Sequence, residues 1–303
     1  MPFLQLTLPI GSADPEPFEE ALLEAGAVSI TLEDAGDDPV LEPAPGTTPL
    51  WPTVTIKALF EASEDRDALT SRLRQSALKW PPPQFEVIED RAWEREWLKD
   101  FKPMRFGQRL WICPDGQRPS SASEPTAYGP QPVFLDLDPG LAFGTGTHPT
   151  TRLCLEWLDS ADLNNRDVID YGCGSGILAI AALKLGAQSA LAVDIDEQAL
   201  TATVANAARN QVSDRIHVCP VNSMPRIPTN VLLANILAEP LLELADELSM
   251  LVVPDGWIVL SGLLESQADQ VARRYHPWFD IAPTIVSDGW ARLDGRRRTR
   301  PLN

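Results

Sequence analysis

Apolar and polar residues alternate along several short stretches of the first ninety residues. Residues 3–8 alternate as a half-buried strand does, and residues 16–25 then place apolar side chains at helical spacing. Residues 27–32, 53–60 and 85–88 are further strand candidates, and residues 64–78 are a second helix candidate. The order β-α-β-β-α-β predicts a small ferredoxin-like α+β domain over residues 1–90.

From residue 106 onward the pattern changes to apolar strands that alternate with helices. The spacing predicts strands at 168–170, 189–194, 216–219, 230–234, 257–260, 281–286 and 290–293, with helices between most of them. Such alternation is typical of a doubly wound α/β domain, so residues 106–303 are predicted to form a mostly parallel, seven-stranded Rossmann-like sheet. Residues 91–105 are predicted to be a linker helix, with Trp93 and Trp97 on one face.

Charge and composition limit the classes of partner and ligand that we expect for this chain. The net charge of −18 repels a phosphate backbone, so we expect no direct nucleic-acid binding. A basic protein partner fits this surface, although the charge is also explained by solubility alone. Four well-separated cysteines and three histidines lack metal-ligand spacing, so free thiols and no metal site are expected. The chain has no apolar run of membrane-spanning length and no signal peptide, so we expect a cytoplasmic monomer without membrane attachment.

A glycine-rich turn follows the strand at 168–170 and precedes an alanine-rich helix. The sequence V-I-D-Y-G-C-G-S-G-I contains Asp170, Gly172, Gly174 and Gly176. Glycines let the backbone approach a ligand closely, and the helix N-terminus offers free N–H groups. Asp194 ends the next strand, where an acidic side chain can accept hydrogen bonds from ribose hydroxyls. The turn therefore predicts a nucleoside-like ligand.

Two further segments are expected near this ligand. The stretch D-P-G-L-A-F-G-T-G-T-H-P-T-T, residues 138–151, is rich in glycine and threonine and opens onto a helix, which suits a loop that covers a ligand. A simple long connection is the alternative interpretation. Asn235, in A-N-I-L-A-E-P, lies at the carboxyl edge of its strand.

The glycine spacing argues against a dinucleotide. An NAD-type turn needs G-x-G-x-x-G, whereas this chain has G-x-G-x-G with Ile177 at the third position of the NAD pattern. Asp170 also stands two residues ahead of the turn, where a carboxylate disfavours a pyrophosphate but suits a ligand that carries an ammonium group.

D-x-G-x-G-x-G at 170–176, with V-D-I-D at 193–196, resembles the cofactor site of class I S-adenosylmethionine-dependent methyltransferases. The threonine-rich loop and A-N-I-L-A are more specific, and together they resemble the PrmA-type methyltransferases of ribosomal large-subunit protein eleven. M-R-F-G at 104–107 and W-E-R-E-W at 93–97 also match, so the resemblance covers nearly the whole chain.

The resemblance implies S-adenosylmethionine as cofactor and protein eleven as substrate, methylated on its N-terminal α-amine and on lysine ε-amines. It implies a cofactor site that includes Thr151, Gly172, Asp194 and Asn235, to which the pattern of the turn adds Asp170 and Gly174. Phe143, Gly144 and Thr147 lie in the matching loop and are expected to close over the cofactor. Asn235 is the expected catalytic residue. A methyltransferase for another basic protein or for a small-molecule amine is the alternative.

Overall fold

The computed structural model describes residues 2–36, 50–76, 78–88, 102–114, 117–119, 131–137 and 146–299. The chain divides into two compact units, Met1–Trp93 and Glu94–Asn303. None of the described helices is long and apolar enough to cross a bilayer.

The first unit contains one antiparallel sheet and two helices. Its elements are β1 (Phe3–Gly11), α1 (Glu16–Glu24), β2 (Ser29–Asp34), β3 (Val54–Glu61), α2 (Arg66–Arg74) and β4 (Gln84–Ile88). The strands lie in the order β2-β3-β1-β4, and every neighbouring pair is antiparallel. The predicted order of strands and helices is therefore found among these residues.

Alternation explains which face of this sheet is covered. Leu4, Leu6 and Leu8 of β1 are buried, and the residues between them are only partly so. They pack with alternate residues of β3 and with Leu22 and Leu69 of the two helices. One face of the sheet therefore holds the apolar core, as period-two patterning requires.

The second unit contains a large mixed sheet with helices on both faces. Three strands precede it and form a small sheet of their own: β5 (Met104–Phe106), β6 (Leu110–Pro114) and β7 (Val133–Leu137). The strands of the large sheet are β8 (Asp167–Tyr171), β9 (Ser189–Asp194), β10 (Ile216–Pro220), β11 (Thr229–Asn235), β12 (Val252–Leu264), β13 (Phe279–Ile281), β14 (Ile285–Ser287) and β15 (Trp290–Arg297). The helices are α3 (Pro149–Ser160), α4 (Ile177–Lys184), α5 (Glu197–Arg209), α6 (Ala238–Glu243), α7 (Ala245–Met250) and α8 (Glu265–Tyr275).

The strand order is β10-β9-β8-β11-β12-β15-β13, with β14 paired to β15. The pairs from β10 to β12 are parallel, and β15 is antiparallel to its three neighbours. Val231 and Leu233 of β11 contribute to a core with α3, α4 and α5, whereas Leu232 and Ala234 contribute to a core with α6, α7 and α8. Because both faces of the strand are buried, the predicted mostly parallel, doubly wound α/β sheet is confirmed.

The predicted number of seven strands is wrong by one, because eight described strands form this sheet. The stretch 281–286, expected as one strand, is divided between the end of β13 and the start of β14. Pro283 lies in the gap between them, and a proline lacks the N–H that a continuous ladder needs. Both short strands still pair with β15.

The predicted linker helix, 91–105, falls mostly outside the described residues, which resume at 102. Its last two residues are not helical, because Met104 and Arg105 belong to β5. Met104 pairs with Ile112 of β6, and Phe106 at the end of β5 is wholly buried. Pairing with β6 therefore draws this end of the predicted helix into a strand.

Candidate active site

The carboxyl edge of the large sheet forms one wall of a cavity of about 520 Å³. Gly172 follows β8, Asp194 ends β9, Asn235 ends β11, and Gly262 lies near the end of β12; all four line this cavity. In open, mostly parallel α/β sheets, ligands bind at this edge. Four segments that are distant in sequence therefore meet where the fold predicts a ligand.

The turn after β8 presents backbone rather than side chains. Gly172, Gly174 and Gly176 have φ angles of +77°, +53° and +78°, which favour glycine. A Cβ atom on Gly172 would lie 2.3 Å from Cγ2 of Ile236, so the turn has no room for a larger residue there. Gly172 and Gly174 both line the cavity, as the sequence predicted.

Asp194 is held against the turn by backbone amides. Its Oδ2 accepts a hydrogen bond from the Gly174 N–H at 2.9 Å, and its Oδ1 accepts from the N–H groups of Ile195 and Asp196 at 2.7 and 3.1 Å. A carboxylate oxygen can accept more than one hydrogen bond, so Oδ2 retains capacity for a ligand hydroxyl. These amides fix a charged acceptor in the cavity wall.

Asn235 presents an unsatisfied acceptor in the same wall. Its Nδ2 donates to Oγ1 of Thr151 at 3.3 Å, and Thr151 is itself wholly buried in the first turn of α3. The Asn235 Oδ1 atom is buried and has no hydrogen-bond partner among the described residues. Buried polar atoms are normally paired, so this oxygen indicates the position of a missing donor.

Asp170 lies beneath the turn and is fully buried. Its Oδ2 accepts from the Ala179 N–H in the first turn of α4 at 2.9 Å, and its Oδ1 has no partner within the described ranges. Burial raises the pKa of this carboxyl to about 7; the hydrogen bond from Ala179 lowers it, and the charge of Asp194 raises it. Neither Asp170 nor Thr151 is among the described residues that line the cavity.

His148 and Trp290 also line the cavity, and neither is predicted from the sequence. Their rings meet edge to face with centroids 4.7 Å apart, and His148 Nδ1 lies 2.7 Å from the Thr150 hydroxyl. Burial lowers the pKa of His148, which favours the neutral imidazole. Its place as N-cap directly ahead of Pro149 was a usable signal, whereas Trp290 arrives from a distant antiparallel strand without one.

The threonine-rich loop is only partly described. Phe143 and Gly144 lie outside the described residues. Thr147 is exposed and is not among the described cavity-lining residues. The expected closure of this loop over a ligand therefore stays a prediction.

The remaining lining is largely apolar and includes Ile195, Ile236, Leu237, Pro240 and Leu244. Cys173 stands inside the turn, but burial raises the pKa of its thiol, which stabilises the protonated, non-nucleophilic form. In the part of the chain that the structure describes, no group of three His, Cys, Asp or Glu side chains could hold a metal ion. The arrangement is suited to bind and orient a ligand that combines polar and apolar parts.

A doubly wound sheet with a glycine turn and the Asp194 carboxylate at its carboxyl edge is typical of α/β enzymes that bind nucleoside-type ligands. The model of the family described as ribosomal protein L11 methyltransferase (PrmA) matches residues 2–298. A ribosomal protein L11 methyltransferase from Pseudomonas putida (strain GB-1) is 52% identical over 300 residues, which cover 98% of this chain and 100% of that relative. One from Methylococcus capsulatus is 50% identical over 301 residues, covering 97% and 99%.

A solved structure agrees with this assignment. The crystal structure of a ribosomal protein L11 methylase from Lactobacillus delbrueckii subsp. bulgaricus is 31% identical, with a TM-score of 0.56 over 65% of this chain and 98% of that one. The chain belongs to the ribosomal protein L11 methyltransferase family. The resemblance seen in the sequence is thereby confirmed, and the chain is a methyltransferase.

Proposed function

We propose that this chain transfers methyl groups from S-adenosylmethionine to amines of ribosomal protein L11. The observation that carries the proposal is the buried Asn235 Oδ1, an acceptor without a described partner in the wall of the cavity beside the glycine turn. Membership of the L11 methyltransferase family supports the identity of the substrate.

The described residues fit this cofactor. Gly172 and Gly174 present backbone rather than side chains to the cavity, and Asp194 offers a fixed acceptor for ribose hydroxyls. Asp170 lies beneath the turn and does not line the cavity, so it would favour a ligand ammonium group through its charge once that carboxyl is ionised. Thr151 contributes through Asn235, which its hydroxyl holds by a hydrogen bond at 3.3 Å.

S-adenosylmethionine supplies a methyl group on a sulfonium sulfur, which is an activated leaving group. The task of the protein is then to orient the incoming amine, and this positioning lowers the barrier. Asn235 Oδ1 accepts an N–H bond of the amine and directs its lone pair into the cavity. The bond from Asn235 Nδ2 to Thr151 holds the side-chain amide in one orientation.

The amine must be neutral to react. A lysine ε-amine has an ordinary pKa of about 10.4, and an α-amine titrates near 8. The apolar lining disfavours an ammonium ion and therefore lowers the pKa of an amine that enters the cavity. An α-amine needs a smaller decrease in pKa than a lysine ε-amine does, so we expect the N-terminal α-amine to react at lower pH.

Substrate recognition is assigned to the first unit. Its strand order, β2-β3-β1-β4, supports a ferredoxin-like arrangement, and its apolar core is separate from the cores of the second unit. We place residues 1–90 as the module that docks L11, residues 91–105 as the connection, and residues 106–303 as the methyltransferase domain. The net charge of −18 suits a basic ribosomal protein, and a cytoplasmic monomer fits this role.

Transfer of an isotopically labelled methyl group tests the proposal. The purified chain is incubated with labelled S-adenosylmethionine and purified L11, and intact-mass spectrometry follows the label. We expect mass increases in methyl steps on L11 and none without the enzyme. Label that enters another basic protein or a small amine while L11 stays unmodified would contradict the assigned substrate.

A further inference from the structure

Helix α5 buries polar side chains on the face where a core helix normally carries apolar ones. Thr203, Asn206 and Asn210, the last just beyond the helix end, are at most 4% exposed. They share this face with Ala199 and Ala207. Buried polar groups are unfavourable unless they are hydrogen-bonded, so each of these side chains requires a partner.

Two of the side chains hold the glycine turn. The Thr203 hydroxyl donates to the Gly174 carbonyl oxygen at 3.0 Å, and Asn206 Nδ2 donates to the Ser175 carbonyl oxygen at 2.9 Å. A Cβ atom on Gly176 would lie 2.7 Å from Cγ2 of Thr203, so the turn lies directly against the helix. Helix α5 therefore fixes two carbonyl groups on one side of the turn, and the opposite side of the turn faces the cavity.

The third side chain holds a different segment. Asn210 Oδ1 accepts from the Asp136 N–H at 2.8 Å, and its Nδ2 donates to the Asp136 carbonyl oxygen at 2.7 Å. These two bonds clamp both backbone groups of one residue near the end of β7, shortly before the chain enters 138–151. Nδ2 also donates to the Asn206 carbonyl oxygen at 2.9 Å, which ties the clamp to the helix.

We propose that Thr203, Asn206 and Asn210 are positioning residues that fix the glycine turn and the end of β7 relative to each other before the cofactor binds. The inference rests on the proposed function, because it assigns these residues to the cofactor site. The links run in series, from turn to helix and from helix to β7. Loss of the Asn210 clamp frees the helix from β7, and loss of the Thr203 bond leaves the turn held by Asn206 alone. In either case the cofactor must bear more of the entropy of ordering the site.

Calorimetric titration of S-adenosylhomocysteine into the full chain tests this inference. The variants shift part of the ordering of the site to the binding step, so Thr203→Val and Asn210→Ala should each raise the Kd about five- to tenfold. Thr203→Ser retains the hydroxyl and should restore the affinity. Thr201→Val is the matched control, because Thr201 is exposed on the same helix and its hydroxyl bonds only the Glu197 carbonyl oxygen.

The double variant, Thr203→Val with Asn210→Ala, shows whether the two substitutions act on one connected structure or independently. Residues 203 and 210 are about 10 Å apart along the helix, and effects at such a distance normally add. Because links in series fail together, the double variant should raise the Kd by clearly less than the product of the two single effects. A full product would overturn the coupling.

Other outcomes are equally decisive. Kd values equal to that of the wild type, together with a lower unfolding temperature, would show that the polar face serves stability alone and would overturn the inference. The Kd describes the folded fraction, so a destabilised variant still gives an answer. If the wild-type chain itself fails to bind S-adenosylhomocysteine, the proposed function fails rather than this inference.

Discussion

The two units of the chain bury different kinds of side chain. In the first unit every buried side chain that the structure describes at the core is apolar, from Leu4 to Leu73. The second unit holds all the buried polar side chains of the described residues: Thr150, Thr151, Asp159, Asp170, Ser175, Thr203, Asn206, Asn210, Thr229, Ser249 and Ser261.

This difference indicates where each unit has been shaped for function. Burial of polar groups lowers stability unless every group is paired, so a fold carries them where geometry matters more than stability. Most of those in the second unit surround the glycine turn or the start of α3. The described core of the first unit is apolar, and such a core is sufficient to stabilise a domain that presents a recognition surface. Chemistry is therefore expected in the second unit alone.

Asn235→Ala should have the largest effect among the substitutions that test whether chemistry takes place in the second unit. Loss of the Oδ1 acceptor should lower kcat for L11 methylation about 100-fold, by analogy with the removal of one oriented polar group from other active sites. Steady-state kinetics at saturating S-adenosylmethionine measures this. Asn230→Ala is the matched control: Asn230 lies at the opposite end of β11, where it accepts the Asp167 N–H. Unchanged kcat together with unchanged cofactor affinity in Asn235→Ala would refute its catalytic role.

Gly172→Ala tests whether the turn requires a residue without a side chain at position 172. The new methyl group would lie 2.3 Å from Ile236 Cγ2 at a φ of +77°, so either the Ile236 side chain or the turn must shift and the backbone at residue 172 is strained. We expect the Kd for S-adenosylhomocysteine to rise about 30-fold, measured by calorimetry. Gly11→Ala, in the first unit, places a methyl group at φ +63° in open space and should leave that Kd unchanged. Equal Kd values for the two variants would contradict the assigned role of the turn.

Asp170 gives the stability of the second unit a pH dependence. Its pKa is raised to about 7, so the folded state binds this proton more tightly than the unfolded state does. Its contribution to the free energy of unfolding is therefore highest below about pH 4, falls as pH rises towards 7 and is constant above. Relative to Asp170→Asn, the wild type should lose about 1.4 kcal/mol per pH unit between about pH 5 and 6.

Denaturant unfolding of the chain without ligand, at several pH values, measures this difference. Asp269→Asn removes an exposed carboxylate and should keep the wild-type pH dependence. If the stabilities of the wild type and Asp170→Asn change in parallel with pH, then Asp170 is ionised in the folded chain over this range. Burial would then not raise the pKa of its carboxyl to about 7.

Sequence patterns predicted much of this fold because each depends on local rules. Buried strands, the glycine turn and the acidic end of β9 all follow from spacing along the chain, and a parallel sheet then brings their ends together. Asn235 was predicted to lie at the same edge, and it lines the cavity. Its hydrogen bond to Thr151 needed the packing of α3, which no local pattern specifies.

The misses have physical causes as well. Alternation alone predicts one strand at 281–286, whereas Pro283 interrupts the pairing and two strands occur. Trp290 reaches the cavity through antiparallel pairing of β15, a contact between residues far apart in sequence. The polar face of α5 was also visible as Thr203, Asn206 and Asn210 at helical spacing, but its partners required the tertiary fold.

Removal of residues 1–90 tests the division of labour most directly. Calorimetry with S-adenosylhomocysteine and methyl transfer to L11 are measured on the shortened and the full chain. We expect a Kd within about twofold of the full chain, because the turn, Asp194 and Asn235 all lie in the second unit. Methylation of L11 should fall about 100-fold or more, because the docking surface is lost. Equal rates of L11 methylation by the two chains would contradict the account.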